Sequence, residues 1–251
     1  MTSLSAPAAR RRDIDPLELY ASAIDTSDYI AALAPLVHHA VPAIGRLLDV
    51  GAGGGQLGAA LADPALSWTA IEPSPTMRAR LGRLARPPRV VADGWEAADV
   101  PTGGHDTVLA ATMPAFFDNP EAFLARCRAW ARRSVVWVVP AHAGPRGLCF
   151  AGCLPSEWHR EDETRGIDIV MQGLAPSSRP HHIAFADWTF SAIVPDLDEL
   201  AFYLADRLGW AARDPRRADL KRHLVVQARP DAAGARLDIA RKSAVLVWGS
   251  R

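Results

Sequence analysis

Acidic residues and closely spaced glycines are the parts of this chain best suited to holding a polar, cationic ligand. Asp49 lies in an apolar run that begins at Leu47, and glycines follow at positions 51, 53 and 55, with Ala52 between the first two. Glycine lets the backbone turn sharply and approach a ligand closely, where a Cβ would obstruct it. Asp49 can accept hydrogen bonds from a cationic or hydroxyl-bearing ligand. The pattern therefore predicts a ligand-binding turn between a strand and a helix.

Two further acids follow strand-like apolar runs in the same way. Glu72 closes the run that starts at Trp68, and Asp93 closes the run that starts at Arg89. A carboxylate at the end of a strand can accept charge-assisted hydrogen bonds from both hydroxyls of a ribose. Because ligands bind outside the carboxyl ends of the strands in a doubly wound sheet, the three acids are predicted to line one site.

The succession of these motifs resembles the class I S-adenosylmethionine (SAM)-dependent methyltransferases over roughly residues 46–140. The resemblance implies SAM as the cofactor, with Glu72 on its ribose and Asp93 on its adenine amino group. It also implies backbone access at Gly94, a flat apolar contact from Trp95, and a contact between the methionine part of SAM and the segment 110–113. The expected cofactor-binding residues are Asp49, Gly51, Ala52, Gly53, Gly55, Glu72, Pro73, Met77, Asp93, Gly94, Trp95, Ala110 and Thr112.

The nearest likeness is to the group that acts on small molecules and includes the quinone-biosynthesis methyltransferases. Enzymes that methylate amino groups of DNA and some proteins carry Asn/Asp-Pro-Pro-Tyr/Phe after the fourth strand. This chain has Ala-Thr-Met-Pro-Ala-Phe at positions 111–116 instead. The resemblance therefore implies transfer of a methyl group to an oxygen, nitrogen or sulfur atom of a small-molecule substrate, and not to a nucleic acid.

Two other functions are compatible with parts of the pattern. An NAD(P)-dependent oxidoreductase would use Gly-x-Gly-x-x-Gly, which occurs here as Gly53-x-Gly55-x-x-Gly58. In such a site the first glycine follows the strand directly, whereas here Asp49 and Gly51 come first, and Gly58 is equally explained by close packing of a helix on the sheet. The second alternative is a SAM-binding protein without catalysis that serves as a partner or sensor.

Two histidines and a tyrosine are the candidate catalytic residues. His142 directly follows the predicted fifth strand, His159 lies further along the chain, and Tyr20 lies in a helical pattern before the first strand. A base of near-neutral pKa assists when the nucleophile is a hydroxyl or an ammonium group, and histidine suits that role. Tyr20 is included because the N-terminal helices of many small-molecule methyltransferases fold across the cofactor and substrate.

Cys149, Cys153 and His159 raise the question of a metal site. On a helix the two cysteines would share one face. Zinc sites usually have four ligands and tighter spacing within each pair, and a fourth ligand is not evident. We therefore expect buried thiols and no metal.

Short apolar runs alternate with helical patterns from residue 46 onward, which predicts a parallel sheet with helices on both faces. The expected fold class is α/β, with a doubly wound, mostly parallel, seven-stranded Rossmann-like sheet and a cap inserted after the fifth strand. Strands are predicted at 46–50, 68–72, 89–93, 106–111 and 134–139, and helices at 55–62, 75–86 and 120–132.

Breaks in this alternation suggest how the rest of the chain is organised. We expect an N-terminal tail and helices over 1–45, a SAM-binding core over 46–140, a substrate cap over 141–195, and a helix with an antiparallel strand pair over 196–251. A helix is predicted around 149–157, strands at 167–171 and 186–194, a helix at 196–208, and strands at 223–229 and 244–248. Long insertions above a ligand site are usually functional, so the cap is expected to determine the substrate.

Composition narrows the class of protein. A chain of 251 residues that is 49% hydrophobic can bury one full core. Lys plus Arg equals Asp plus Glu at 28 each, which argues against nucleic acid or an anionic membrane as the partner. The basic cluster at 10–12 has no apolar run beside it, so no signal peptide is expected. Three cysteines favour a reducing, cytoplasmic setting, and the oligomeric state is left open.

Overall fold

An eight-stranded, mostly parallel sheet forms the centre of the protein in a computed structural model that describes residues 14–111, 118–144 and 150–249. The strand order is β3-β2-β1-β4-β5-β8-β6, and the short β7 pairs with β8. The strands are β1 (Leu47–Val50), β2 (Trp68–Ile71), β3 (Arg89–Val91), β4 (His105–Ala111), β5 (Ala131–Pro140), β6 (His182–Val194), β7 (Arg229–Asp231) and β8 (Gly234–Gly249). The expected α/β class with a central, mostly parallel sheet is confirmed, but the sheet has eight strands instead of the expected seven because the short β7 adds to β8.

Helices cover both faces of the sheet and supply its two cores. The helices are α1 (Pro16–Thr26), α2 (Tyr29–Ala40), α3 (Gln56–Leu61), α4 (Pro75–Leu81), α5 (Pro120–Trp130), α6 (Ser156–His159), α7 (Gly166–Gly173), α8 (Leu197–Arg207) and α9 (Arg216–Gln227). One core contains buried residues of α1, α2, α3, α8 and α9, and the other contains buried residues of α5 and α7. β1 and β2 are buried at every position, and their sequences are correspondingly apolar except for Asp49 and Thr69.

Local signals in the sequence explain where two of the site-forming helices begin. Ser74 accepts a hydrogen bond from the Met77 amide, and Pro75 occupies the first helical position of α4. Asn119 and Pro120 play the same parts for α5, where Asn119 accepts from the Ala122 amide. A capping side chain satisfies an otherwise unpaired N–H, and proline lacks the N–H that would have no partner. The capping residue and the proline after it therefore fix the first residue of α4 and of α5.

The strand pair β6 and β8 continues well beyond the sheet. β5 pairs with β8 only as far as Pro140 and Ser243, whereas β6 and β8 remain paired out to Val194 and Ala235. Residues 187–194 and 235–242 thus form a two-stranded extension, here named the β6–β8 ribbon, that overhangs the carboxyl end of β5. At about 3.4 Å per residue, this ribbon projects roughly 25 Å.

The N-terminal helices protect the open edge of this ribbon. Asp28 accepts a hydrogen bond from the Thr189 amide at 2.6 Å, and Ser27 accepts one from the Ser191 amide at 2.9 Å. The Thr26 hydroxyl donates to the Ser191 carbonyl at 2.6 Å. Exposed strand edges attract other strands, so these three side chains replace the missing backbone partner. The predicted helices before the first strand are thereby docked above the sheet.

Several predicted elements need correction. The predicted cap included residues 182–194, but these residues form strand β6 of the sheet itself. The predicted strand at 167–171 is part of helix α7, with Ile167 and Val170 buried at helical spacing. The predicted strand at 223–229 is mostly the end of helix α9, which buries Leu220 and Leu224. Short apolar runs do not distinguish a strand from a buried helix face, which explains both errors.

Within the described residues, none of the helices is long and apolar enough to cross a membrane.

Candidate functional site

The glycine loop after β1 combines one position that faces open space with others that serve packing. Gly51, Gly53 and Gly55 all have positive φ, at 64°, 56° and 79°. A Cβ at Gly55 would lie 2.5 Å from Leu81 of α4, so packing excludes a side chain there. A Cβ at Gly53 would meet nothing within 4 Å. Gly53 therefore borders a space in which a ligand can lie against the backbone.

Gly58 belongs to the packing of the fold rather than to a dinucleotide fingerprint. It lies inside α3, and a Cβ there would overlap the Asp49 carboxylate and approach the Trp68 ring to 2.8 Å. The third glycine of the apparent Gly-x-Gly-x-x-Gly motif is thus explained by the side chains beneath it. An antiparallel β8 next to β5 also differs from the sixth parallel strand typical of dinucleotide-binding domains.

Glu72 lies buried at the end of β2, with both carboxylate oxygens turned to the loops of the site. Oε2 accepts from the Gly53 amide and Oε1 from the Ser74 amide, each at 2.8 Å. An ionised carboxylate offers about four acceptor positions, so two remain for hydroxyl donors of a ligand. Glu72 therefore fixes the glycine loop against the start of α4 and retains the capacity for the predicted ribose contact.

Asp49 is buried beneath the same loop, with 2% of its surface exposed. Burial, followed by the nearby Glu72 carboxylate, raises the pKa of Asp49 from its ordinary 3.8 to about 7. Two buried acids close together cannot both ionise without cost, and a cation placed between them would relieve that cost. The pair thus forms a region of negative potential suited to a cationic ligand.

The other predicted cofactor residues fall into three groups. Asp93 and Pro73 are exposed, and Gly94 and Ala52 are half-buried, so they border solvent at the carboxyl edge of the sheet. Met77 and Ala110 are buried, and Trp95 packs edge-on against Phe123 of α5 with ring centroids 5.2 Å apart. Thr112, with the rest of 112–117, lies outside the described residues.

Helix α1 is fastened over the glycine loop by polar contacts that the sequence did not predict. Arg80 of α4 forms ion pairs with Glu18 and Asp25 of α1. Gln56, the first residue of α3, donates to Asp25 at 2.7 Å, and Asp15 accepts from the Thr76 hydroxyl at 2.9 Å. These contacts join α1 to α3 and α4, the helices that follow the glycine loop and Glu72. Their residues lie far apart in sequence, and no local pattern marks them.

The three predicted catalytic residues converge on a second region, at the end of β5. His142 and His159 line one cavity with Arg241 of β8. Arg241 lies over the face of Phe190, 5.9 Å from the ring centroid, and Tyr20 stacks on the same ring with centroids 5.6 Å apart. β5 is two strands from β1, or roughly 10 Å, so this region and the glycine loop lie at the same edge of the sheet.

The hydrogen bonds of His142 fix its tautomer. Arg241 Nη1 donates to His142 Nε2 at 2.9 Å, so Nε2 must be unprotonated. Nδ1 then carries the proton and donates to the Lys242 carbonyl at 3.0 Å, so the Lys242 amide, 3.3 Å away, does not donate to it. Burial, more than the nearby Arg241 charge, lowers the pKa of His142 below its ordinary value. His142 is therefore neutral, and its basic lone pair is engaged by Arg241.

His159 and Cys153 are also held by local contacts. His159 Nδ1 accepts from the Glu161 amide at 3.1 Å, and Nε2 lies 3.4 Å from a Glu163 carboxylate oxygen. The Cys153 thiol donates to the Phe150 carbonyl at 3.0 Å, and burial raises its pKa to about 11. Cys149 lies outside the described residues. Cys153 is thus a neutral thiol near neutral pH.

Arg241 is the functional candidate that sequence reasoning missed. The signal available was an arginine at alternate spacing with the apolar Leu237 and Ile239, but the predicted strand began only at Ala244.

Comparison with known proteins agrees with this geometry. Residues 48–138 match the model of a family described as a methyltransferase domain. A Bacillus halodurans protein described as a methyltransferase is 14% identical, with a TM-score of 0.51 and coverage of 88% of this chain and 99% of that one. An Anaeromyxobacter dehalogenans protein described as a type II methyltransferase is 20% identical, with a TM-score of 0.53 and coverage of 86% and 94%. No curated protein sequence matches the chain. Residues 48–138 are therefore similar to a methyltransferase domain, and the chain has a Rossmann-like methyltransferase fold.

Proposed function

We propose that the protein is a SAM-dependent methyltransferase that methylates an oxygen, nitrogen or sulfur atom of a small molecule. The observation that carries this proposal is the buried Glu72 carboxylate, which joins the Gly53 loop to α4 beside a space left open at Gly53. Asp49, Glu72 and the loop amides would hold the cofactor. When bound, SAM supplies an activated methyl group on a sulfonium.

The contribution of the chain to the reaction is alignment and the exclusion of water. Well-oriented reactants can gain about 7–11 kcal/mol from orientation alone. Helix α1 and the β6–β8 ribbon stand over the carboxyl edge of the sheet, where they can restrict access of water to the reacting groups. Since the lone pairs of His142 and His159 are engaged, we propose that a substrate nucleophile reacts without proton removal by either residue in this arrangement.

A small-molecule acceptor is favoured over a nucleic acid by the balanced charge of the chain, 28 basic and 28 acidic residues. Phenolic and quinol-type acceptors deserve to be screened first because of the likeness to the quinone-biosynthesis group. A cytoplasmic setting is proposed on the strength of two described cysteines that are both free thiols.

The basic test is calorimetric titration with SAM, S-adenosylhomocysteine and NAD. We expect both SAM and S-adenosylhomocysteine to bind and NAD to give no heat. Tight NAD binding without a response to SAM would instead support the oxidoreductase. Methyl transfer from labelled SAM into a metabolite panel then separates an enzyme from a SAM-binding partner or sensor, which would bind SAM and yield no methylated product.

The affinity for SAM is expected to rise with pH through neutrality, because Asp49 attracts a cation only when ionised. Its pKa of about 7 means that half of the sites are ionised at that pH. If ionised Asp49 is the competent form, the dissociation constant one pH unit lower should be roughly fivefold larger. Titrations in buffers of different ionisation enthalpy should also report proton release on binding.

Two controls accompany this pH prediction. Asp49→Asn removes the titrating group, so its weaker SAM affinity should not vary with pH. The pH dependence of folding stability that Asp49 causes is opposite in sign to the pH dependence of SAM affinity. Since the folded-state pKa is raised, the stabilising contribution is fully present below the ordinary 3.8 and is lost as pH rises through about 7. A wild-type affinity that stays constant across this range would show that Asp49 does not sense the cofactor.

A further inference from the structure

A polar cavity of about 160 Å³ lies beyond the end of β5, against the β6–β8 ribbon. Its titratable and charged lining residues are His142, His159, Glu163 and Arg241. For comparison, an engineered cavity of about 150 Å³ in another protein accommodates benzene. The space is therefore large enough for the polar end of a small molecule, and its lining is suited to recognising charge.

Arg241 brings positive charge to the inner side of the ribbon. Side chains alternate along a strand, so Arg241 shares a face with Leu237 and Ile239, which are 1% and 6% exposed. On β6, Trp188 is opposite Arg241, and Phe190 is opposite Ile239. Arg241 therefore follows the buried Leu237 and Ile239 on the same face of β8, and it lines the cavity.

Contacts on three sides hold the guanidinium in place. His142 Nε2 accepts from Nη1 at 2.9 Å, and the face of Phe190 lies on another side. A Cβ at Gly152 would come within 2.7 Å of both terminal nitrogens, so the absence of a side chain there admits the guanidinium. His142 is itself oriented by the Lys242 carbonyl. A guanidinium fixed in this way is preorganised for a planar anion.

We propose that this cavity binds a carboxylate group of the methyl-acceptor substrate, with Arg241 in contact with the anion and His142 as its positioning residue. The proposal rests on the proposed function, because it names the substrate class of the same site. Arginine presents parallel N–H donors that match the two oxygens of a carboxylate. The cavity lies beyond the end of β5, and the glycine loop follows β1 at the same edge of the sheet, two strands away.

Glu163 is the opposing charge in the cavity lining and needs to be considered. Its side chain is 45% exposed, and it faces His159 at 3.4 Å. Water screens an exposed charge, so Glu163 should weaken anion binding only modestly. Its removal by Glu163→Gln should therefore strengthen carboxylate binding about two- to threefold, which is an effect opposite to that of losing Arg241.

The test is binding of acetate, propionate and benzoate, each compared with its neutral amide, to the full chain with and without saturating SAM. Ligand-observed NMR and calorimetry detect such weak ligands. We expect at least one carboxylate to bind and its amide to bind at least tenfold more weakly. Arg241→Met should weaken carboxylate binding at least tenfold, because a charged hydrogen-bonding partner is lost.

Two variants test the positioning of Arg241 without changing its charge. Gly152→Ala should displace the guanidinium and weaken carboxylate binding, although the chain keeps every charged residue. His142→Phe should do the same, and His142→Gln should restore part of the binding because its amide oxygen can again accept from Arg241. Lys242→Met is the matched control, since its side chain belongs to the opposite face of β8 and pairs with Asp187.

Each outcome decides the proposal. If the acids and amides bind alike, if none of the acids binds, or if Lys242→Met acts like Arg241→Met, the anion site is wrong. Arg241→Met should leave the SAM dissociation constant unchanged, which shows that the variant is folded. If carboxylates bind through Arg241 while SAM does not bind the wild type, the proposed function fails and the anion site stands. If SAM binds and carboxylates do not, only the anion site fails.

Discussion

Replacing Glu72 by alanine should raise the dissociation constant for SAM about ten- to a hundredfold while leaving the protein folded. Each hydrogen bond to a charged partner contributes about 1.5–3 kcal/mol, and this carboxylate is proposed to accept from the ribose hydroxyls. The same residue also holds the Gly53 and Ser74 amides at 2.8 Å, so part of the loss would come from a loosened loop. Calorimetry with SAM measures the total effect.

Comparison of two ligands separates the ribose contact from the loop contact. With 5′-methylthioadenosine, the wild type should bind more tightly than Glu72→Ala. With the 2′,3′-dideoxy form, which lacks both hydroxyls, Glu72→Ala should lose only the part of the affinity that depends on the loop. Equal losses for the two ligands would show that Glu72 acts through the loop alone. An unchanged SAM dissociation constant in a variant with a normal melting transition would show that Glu72 is not part of the cofactor site.

The arrangement around the glycine loop could be predicted because its signals are local. Strand, glycine loop and helix follow one another between residues 46 and 62, and the acid that closes β2 follows a short apolar run. The parallel topology then brings the strand ends to one edge of the sheet, so Asp49 and Glu72 become neighbours without any further information. The raised pKa of Asp49 follows from burial and, to a smaller extent, from this neighbouring carboxylate.

The contacts around Arg241 could not be predicted in the same way because they join distant segments. Arg241 meets His142 only because β8 returns antiparallel to β5 and continues past it. One strand of the β6–β8 ribbon was predicted at 186–194, but its partner at 235–242 was not, because polar residues such as Asp238 leave no continuous apolar run there. The ion pairs of Arg80 with Glu18 and Asp25 likewise join residues that are far apart in sequence and share no periodic pattern.

The glycine loop also shows why a motif match alone does not identify a ligand site. Gly55 and Gly58 are required by Leu81, Trp68 and Asp49, which fill the space around them. Only the surroundings of Gly53 are open among these three positions. A sequence pattern records all three glycines equally, although Gly53 borders open space and the other two serve packing. This difference leads to a direct test of where the ligand lies.

Replacing Gly53 by alanine should weaken SAM binding roughly five- to a hundredfold. It should lower the free energy of unfolding by no more than the backbone cost of about 1–2 kcal/mol. The backbone at φ 56° lies within the narrow left-handed region, so alanine is tolerated there at a cost of about 1–2 kcal/mol. Within the described surroundings its methyl group would meet no protein atom within 4 Å. It would instead occupy the space proposed for the cofactor, where overpacking costs about 1–3 kcal/mol. Calorimetry and thermal unfolding measure the two effects.

Gly209 provides a matched control for the backbone cost. It has φ +70° between α8 and α9, and a Cβ there also meets nothing within 4 Å among the described residues. Gly209→Ala should therefore lower the melting temperature by a similar amount and leave the SAM dissociation constant unchanged. If both alanine variants weakened SAM binding equally, the loss would reflect general destabilisation. If Gly53→Ala bound SAM as tightly as the wild type, the cofactor would not lie against this loop, because a methyl group at Gly53 cannot share that space with it.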